Sequence, residues 1–326
     1  MTEALPDRPA VASPPLIARR WTADDIPDQT GKTAIVTGAN SGLGLRTAEA
    51  LAAKGAHVLL ACRNELKAAA ALEQVSNAAT GPKPEVLPLD LADLSSIRRA
   101  ADHLEVRGTP IDILVNNAGV MALPRHQRTA DGFDAQFGTN HLGHYALTGL
   151  LLPVLLRAPE PRVVTVSSIA AWGGLINWLD PNWRMVYIRW LAYSQSKLAN
   201  LLFTAELHRR AGAAGVRLTA VVAHPGLSAT NLYDSDAEKG VAGRLAAAQQ
   251  RLLVSFAQSD SRGALPQLYA ATMPNLAGNS YVGPAFEAFG YPRRTLRNPI
   301  AYSRTEARRL WALSEKLTGI TYDWTR

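Results

Sequence analysis

Tyr193 and Lys197 stand four residues apart in the run Ala192-Tyr193-Ser194-Gln195-Ser196-Lys197. Four residues is about one helical turn, so in a helix the phenol and the ammonium project from one face and can address a common ligand. A free phenol ionises near about pH 10, and a cation beside it favours the phenolate, moving it toward the range useful for proton transfer. The pair reads as a general acid/base. Its spacing alone is a weak signal, and its weight comes from motifs elsewhere in the chain.

The second such motif is the turn Thr37-Gly38-Ala39-Asn40-Ser41-Gly42-Leu43-Gly44. It follows an apolar strand-like run and opens a helical one. That is the context of a phosphate-binding turn, where glycines let the backbone approach a pyrophosphate at the positive end of a helix. The spacing here is Gly-x-x-x-Gly-x-Gly rather than Gly-x-Gly-x-x-Gly. About twenty residues further on, where a dinucleotide fold places an acid against the adenosine ribose, the chain reads Cys62-Arg63-Asn64. A guanidinium can pair with a 2′-phosphate that an acid would repel, so Arg63 predicts NADP(H) over NAD. Asp90 ends a third strand-like run, where it meets an adenine edge, caps the next helix, or does both. A fourth run ends in Asn116-Asn117-Ala118-Gly119, small residues after two amides that suit a chain passing close beneath a cofactor.

These residues need a scaffold that makes them converge. Strand-like runs at 33–37, 57–62, 85–89, 111–115, 162–166, 217–223 and 280–282 alternate with apolar-periodic helical segments at 42–54, 64–79, 94–106, 131–157, 193–211 and 262–273, and a last helix spans 302–318. Strict alternation, with strands apolar almost throughout, predicts a parallel sheet of about seven strands covered on both faces, a Rossmann-type doubly wound α/β fold. Residues 1–30, Pro-rich and polar, read as an N-terminal extension, flexible or packed on the surface, with order expected from Thr33. Residues 31–326 read as a single domain without internal repeats.

Bulk properties narrow the setting. Hydrophobic residues make up 47% of the 326, enough for a sizeable core. The one cysteine, Cys62, excludes an intramolecular disulfide and a cysteine-based metal cluster and suits a reducing compartment, so no metal and a cytoplasmic location are expected. No apolar run is long enough to span a membrane, since the segment 145–156 is short and holds Pro153, and the chain opens with no secretory pattern. The net charge of +7 is scattered and mostly Arg, without a basic stripe interleaved with aromatics, so it fits an anionic cofactor and no nucleic-acid partner is expected.

With these pieces in place the sequence closely resembles the short-chain dehydrogenase/reductase family over roughly residues 30–320, and within it the retinol dehydrogenase and WW-domain oxidoreductase branch. The resemblance is carried by TGANSGLG at 37–44, ACRN at 61–64, NNAG at 116–119, NHLGHYAL at 140–147, VSS at 166–168, YSQSKLANLLF at 193–203 and HPG at 224–226. It implies an NADP-dependent oxidoreductase interconverting an alcohol with a ketone or aldehyde. By the resemblance, Asn140 is similar to the asparagine whose backbone helps hold a proton-relay water, and Ser168, the second of the Ser167-Ser168 pair, to the serine that polarises the substrate carbonyl. Tyr193 then resembles the acid/base and Lys197 the residue that binds the nicotinamide ribose while lowering the tyrosine pKa. The cofactor positions implied are Gly38, Asn40, Ser41, Gly42, Leu43 and Gly44 in the turn and Arg63, Asp90 and Leu91 toward the adenosine. Asn117, Ala118 and Gly119 follow along the channel, joined by Tyr193 and Lys197, with Pro225, Gly226 and Thr230 at the nicotinamide.

Ser168 and Tyr193 are 25 residues apart, longer than in many members of the family, and the intervening segment 172–190 carries four tryptophans. They either wall a pocket for a large apolar substrate of retinoid, steroid or lipid type, or cap the domain edge. A substrate lid is expected at about 227–260, where Leu245, Leu252, Leu253 and Phe256 give an apolar helical face that closes over substrate or touches a membrane or partner. The segments 131–157 and 193–211 resemble the family's usual dimer surface, so a homodimer stays open. Two other readings remain: reduction of a carbon–carbon double bond in an enone, and a non-catalytic NADP-sensing protein. The absence of cysteines other than Cys62 speaks against the specialised form of the first, and the complete Asn, Ser, Tyr, Lys set against the second.

Overall fold

In the computed structural model, which describes residues 20–227 and 259–325, the strand β1 (Thr33–Thr37) is buried along its whole length. Around it lie β2 (His57–Cys62), β3 (Glu85–Pro88), β4 (Ile113–Asn116), β5 (Arg162–Val166), β6 (Thr219–Ala223), β7 (Tyr281–Pro284) and β8 (Pro292–Arg294). The order across the sheet is β3-β2-β1-β4-β5-β6-β7-β8, parallel up to β7 and antiparallel only between β7 and β8. The chain order reverses between β1 and β4. This is the switch point outside whose strand ends ligands bind in doubly wound sheets.

Helices cover both faces: α1 (Gly42–Ala52), α2 (Glu65–Ala78), α3 (Leu94–Arg107), α4 (Gly143–Leu150), α5 (Arg189–Ala213), α6 (Asp260–Thr272) and α7 (Arg304–Thr318). Successive strand residues alternate between the two layers, as the period of two requires. Ala34 and Val36 of β1 join Val58, Leu60, Leu51 of α1 and Leu268 of α6. Ile35 joins Leu59, Ile97 and Leu104 of α3 and Leu147 of α4 on the other face.

Three expectations need correction. The sheet has an eighth strand, three residues long and opening on Pro292, a residue confined to edges because it cannot donate to a ladder. Its Pro-Arg-Arg sequence carries no apolar alternation. The segment 131–157 is not one helix: a π-helical turn occupies Gly138–Leu142 between Ala135–Phe137 and α4, and the helix breaks again before Leu152–Leu155, where Pro153 cannot supply the N–H that continuity needs. Order also begins before Thr33. Trp21 and Ile26 are buried in the core, with the Trp21 ring edge-on to Tyr269 at 5.3 Å.

Candidate active site

The glycine turn leaves β1 and enters α1 at the switch point, bordering a cleft of about 470 Å³. Gly38 and Gly42 hold left-handed φ values of 66° and 53°, and a Cβ on Gly44 would run into Gly38 O and stand 2.6 Å from Asn117 Nδ2. The turn is therefore closed by backbone against backbone, with the unpaired N–H groups of the α1 N-terminus available to an anion. Beneath it the Thr37 hydroxyl accepts from Asn117 N and Ala118 N at 2.9 Å each, and Asn117 Nδ2 donates to Thr37 O at 2.7 Å. Gln267 of α6 adds an Nε2 bond to Asn117 Oδ1 at 3.2 Å. Gly38, Asn40, Ser41, Gly42, Leu43, Gly44, Arg63, Asp90, Leu91, Asn117, Ala118 and Gly119 all line this one cleft.

At its far end Arg63 Nη1 lies 3.7 Å from Asp90 Oδ2, with the Arg63 side chain 72% exposed. Lys67, one turn into α2, lines the cleft as a second cation. Asp90 is not a helix cap. Asp93 caps α3, its carboxylate accepting from Ser95 N at 2.8 Å, while Asp90 Oδ1 accepts from Ala92 N at 2.9 Å and the residue stays on the cleft wall.

The other end is assembled from the π-turn, the end of β5 and the first turns of α5. Lys197 Nζ donates to Val166 O at 3.1 Å, and Ser167 Oγ donates to Lys197 O at 2.8 Å, so the strand end and the helix are stitched together. That bond turns Ser167 inward. Ser168 is less buried and caps the short turn Ile169–Gly173, its Oγ accepting from Ala170 N at 3.2 Å. Lys197 Nζ is 5.8 Å from the Tyr193 ring centre, and burial pushes its pKa down to about 8. An ammonium so placed favours the phenolate form of a neighbouring tyrosine.

Asn140 sits in the π-turn, a distortion found mostly at functional positions. Its Oδ1 accepts from Val120 N at 2.8 Å, and its Nδ2 donates to Val120 O and to Ser196 Oγ, both at 2.9 Å. Ser196 Oγ in turn donates to Tyr193 O at 2.7 Å. Asn140 thus buckles the chain after Gly119 to the helix of Tyr193. Its backbone O accepts from His144 Nδ1 at 3.0 Å. Because a carbonyl only accepts, His144 carries its proton on Nδ1 and its Nε2 takes the Thr37 hydroxyl at 2.9 Å. Burial holds this imidazole neutral, with its pKa pushed down to about 4.

The four tryptophans of 172–190 divide. Trp178 donates to Glu306 of α7 at 3.0 Å and stacks under Arg309, and Trp183 is buried, so these two serve the domain edge. Trp190 stands edge-on to Tyr193 at 6.2 Å and is half exposed, as is Trp172. Gln195 holds the segment to α5, accepting from Asn177 N and donating to Pro181 O at 2.9 Å each, and Gln136 Nε2 ties it to Tyr187 OH and Arg189 O. Pro225 and Gly226 follow β6 at the same sheet edge, Gly226 with φ 71°. Thr230 and the expected lid, Leu245, Leu252, Leu253 and Phe256 included, lie outside the described residues.

Lys67, His144, Ser196, Gln136, Gln195 and Gln267 were not singled out from sequence, and the Thr37 hydroxyl had no role assigned. Of these, only Thr37 had a local signal, a hydroxyl directly before the first glycine of the turn. The others depend on which helix packs where.

Comparison with known proteins supplies an independent frame. A family profile described as short chain dehydrogenase matches residues 32–240. Retinol dehydrogenase 13 of Homo sapiens is 40% identical over 293 residues, covering 89% of this chain and 85% of that protein. The WW domain-containing oxidoreductase of Homo sapiens is 39% identical over 300 residues, covering 89% of this chain and 69% of the other. A crystal structure of an uncharacterized protein from Mycobacterium Paratuberculosis has 46% identity and a TM-score of 0.77, covering 94% of this chain and all of that one.

Proposed function

The chain belongs to the short-chain dehydrogenase family, whose members act on CH–OH groups with NAD(P), and from that premise we propose that it is an NADP-dependent oxidoreductase interconverting a hydrophobic alcohol with its ketone or aldehyde. The observation that carries the reading is that Lys197 Nζ, bonded to the end of β5 and 5.8 Å from the Tyr193 ring centre, would stand 3.5 Å from a Cβ placed on Gly119, a residue of the glycine-turn cleft.

The residues fit a dinucleotide. A cradle of Gly38, Gly42 and Gly44 would hold the pyrophosphate at the N-terminus of α1, and Arg63 with Lys67 would hold the adenosine end, two cations matching a 2′-phosphate. When bound, the nicotinamide supplies or accepts the hydride. The protein does the rest. Ser168 Oγ holds the substrate oxygen, Tyr193 gives it a proton in the reductive direction and removes one in the oxidative direction, and the Lys197 ammonium steadies the phenolate between turnovers. Asn140 and Ser196 keep the helix of Tyr193 in register with the chain beside the cleft.

Support for an apolar substrate comes from segment 172–191, which exposes several large apolar side chains, Trp172, Leu179, Met185 and Trp190 among them, with Trp190 edge-on to Tyr193. The named relatives that act on retinol agree with it. A cytoplasmic setting fits the single buried thiol, Cys62, whose pKa burial pushes up to about 11. No described helix is long and apolar enough to cross a membrane.

The cofactor assignment is tested by titration. NADP(H) is expected to bind more tightly than NAD(H), and Arg63→Asp to weaken NADP(H) by roughly tenfold or more while sparing NAD(H), since a bidentate charged pair is lost and a repulsion gained. Equal affinity of the parent protein for the two nucleotides would contradict it.

A further inference from the structure

His224, in the His-Pro-Gly run after β6, is enclosed on every side and takes no part in the proton chemistry above. Its ring lies across Tyr281 at 4.8 Å, in a notch that exists because Gly283 has no side chain. Gly226 N lies 3.3 Å from His224 Nδ1 and donates to it. A backbone N–H only donates, so Nδ1 is bare and the ring proton sits on Nε2. That Nε2 faces Glu287 Oε2 at 3.4 Å, an electrostatic contact outside hydrogen-bond geometry, and neither atom has a hydrogen-bond partner among the described residues.

Glu287 stands in the turn joining β7 to β8, with φ at 60°, a left-handed conformation that a residue with a Cβ adopts only at a cost. The same turn is fastened to the chain after β6, because Leu227 N donates to Ala288 O at 2.9 Å and a Cβ on Gly226 would strike that oxygen. The strained glutamate therefore sits on a loop that buttresses Pro225-Gly226.

We propose that Glu287 is a positioning residue: through His224 it fixes the Gly226 N–H and with it the turn against which the nicotinamide end of the cofactor rests. A carboxylate 3.4 Å from Nε2 favours, by charge, the tautomer with its proton on that nitrogen and a free Nδ1 to accept from Gly226 N. This rests on the reading of Pro225-Gly226 as the nicotinamide turn.

Glu287 is partly exposed, so its substitution can be read in a folded protein. Full-length parent, Glu287→Gln and Glu287→Ala would be titrated with NADPH and with adenosine 2′,5′-bisphosphate, which has the adenosine end and no nicotinamide. For Glu287→Ala the NADPH Kd is expected to rise roughly three- to tenfold, the range set by the loss of one close contact between a carboxylate and a buried polar group. Glu287→Gln should fall between it and the parent, with bisphosphate affinity unchanged in both. In turnover, KM for NADP should rise more than kcat falls. Unchanged NADPH affinity, equal weakening of both ligands, or a lower melting temperature with unchanged Kd would each overturn the proposal. Failure of the parent to bind NADPH would sink the nicotinamide reading itself. Binding without turnover would leave the Kd comparison decisive for Glu287 alone.

Discussion

A lysine enclosed by protein and donating to a backbone carbonyl is an expensive residue to keep charged. Lys197 has an ordinary pKa of 10.5 that burial lowers to about 8 in the folded chain. Between those values the unfolded chain binds more protons, so this residue makes stability rise with pH across roughly 8 to 10.5; below pH 8 its full cost is present. Lys197→Met is therefore expected to be more stable than the parent at pH 7, by up to ~3 kcal/mol, with the gap shrinking as pH climbs toward 10. Denaturant unfolding at a series of pH values checks this, and a gap independent of pH would count against the burial argument. The tyrosine and lysine were legible because their spacing is local. The sequence could favour Ser168 over Ser167 only by its place as the second of the pair; in the structure Ser167 Oγ is spent on Lys197 O. The side-chain work of Asn140 was not legible, because its partners Val120 and Ser196 lie 20 and 56 residues away.

Elements with a periodic pattern were read well. The bounds of β1, β2 and β5 agree with the apolar runs that announce them, and α5 extends only a few residues beyond 193–211. What escaped were elements whose existence is decided by neighbours. β8 is an edge strand paired through three residues to β7, and the π-turn is forced where Gly138 packs on Thr129 and Gly143 on Leu91 O. The glycine turn is an element of the opposite kind, specified locally by residues that admit no substitute. Gly44→Ala places a methyl against Gly38 O and Asn117 Nδ2, and overpacking of this kind costs about 1–3 kcal/mol. A melting temperature lowered by several degrees and dinucleotide affinity weakened by roughly tenfold are expected together, because one displaced turn serves both. Retention of both would show that the turn has slack that its close contacts deny.

Across the molecule, the chain wraps its own long helices. α7 and the residues after it lie against α4 and α5: Trp311 stacks on Phe203 at 5.9 Å, meets Tyr145 at 5.1 Å and is covered by Arg210, and Tyr322 donates to Tyr145 O at 2.7 Å. Every residue from Ala192 to Thr204 is buried within one chain. A homodimer through these two helices would have to displace α7, so sedimentation at micromolar concentration is expected to give the mass of a single chain. A dimer whose formation is blocked by substitutions on α4 or α5 would refute this. Sequence periodicity gave the segment 193–211 an apolar helical face but not whether a partner or the chain's own end would cover it.

The central claim is that a phenol, a serine hydroxyl and a nicotinamide meet at the edge of the glycine-turn cleft. It is tested most directly by measuring, for the parent and Tyr193→Phe, both NADP(H) affinity and the rate of nicotinamide reduction over a panel of apolar alcohols. The expected result is near-equal affinity, with turnover in the parent and a loss of roughly a hundredfold or more in the variant. Turnover by the variant within a few-fold of the parent would contradict the claim.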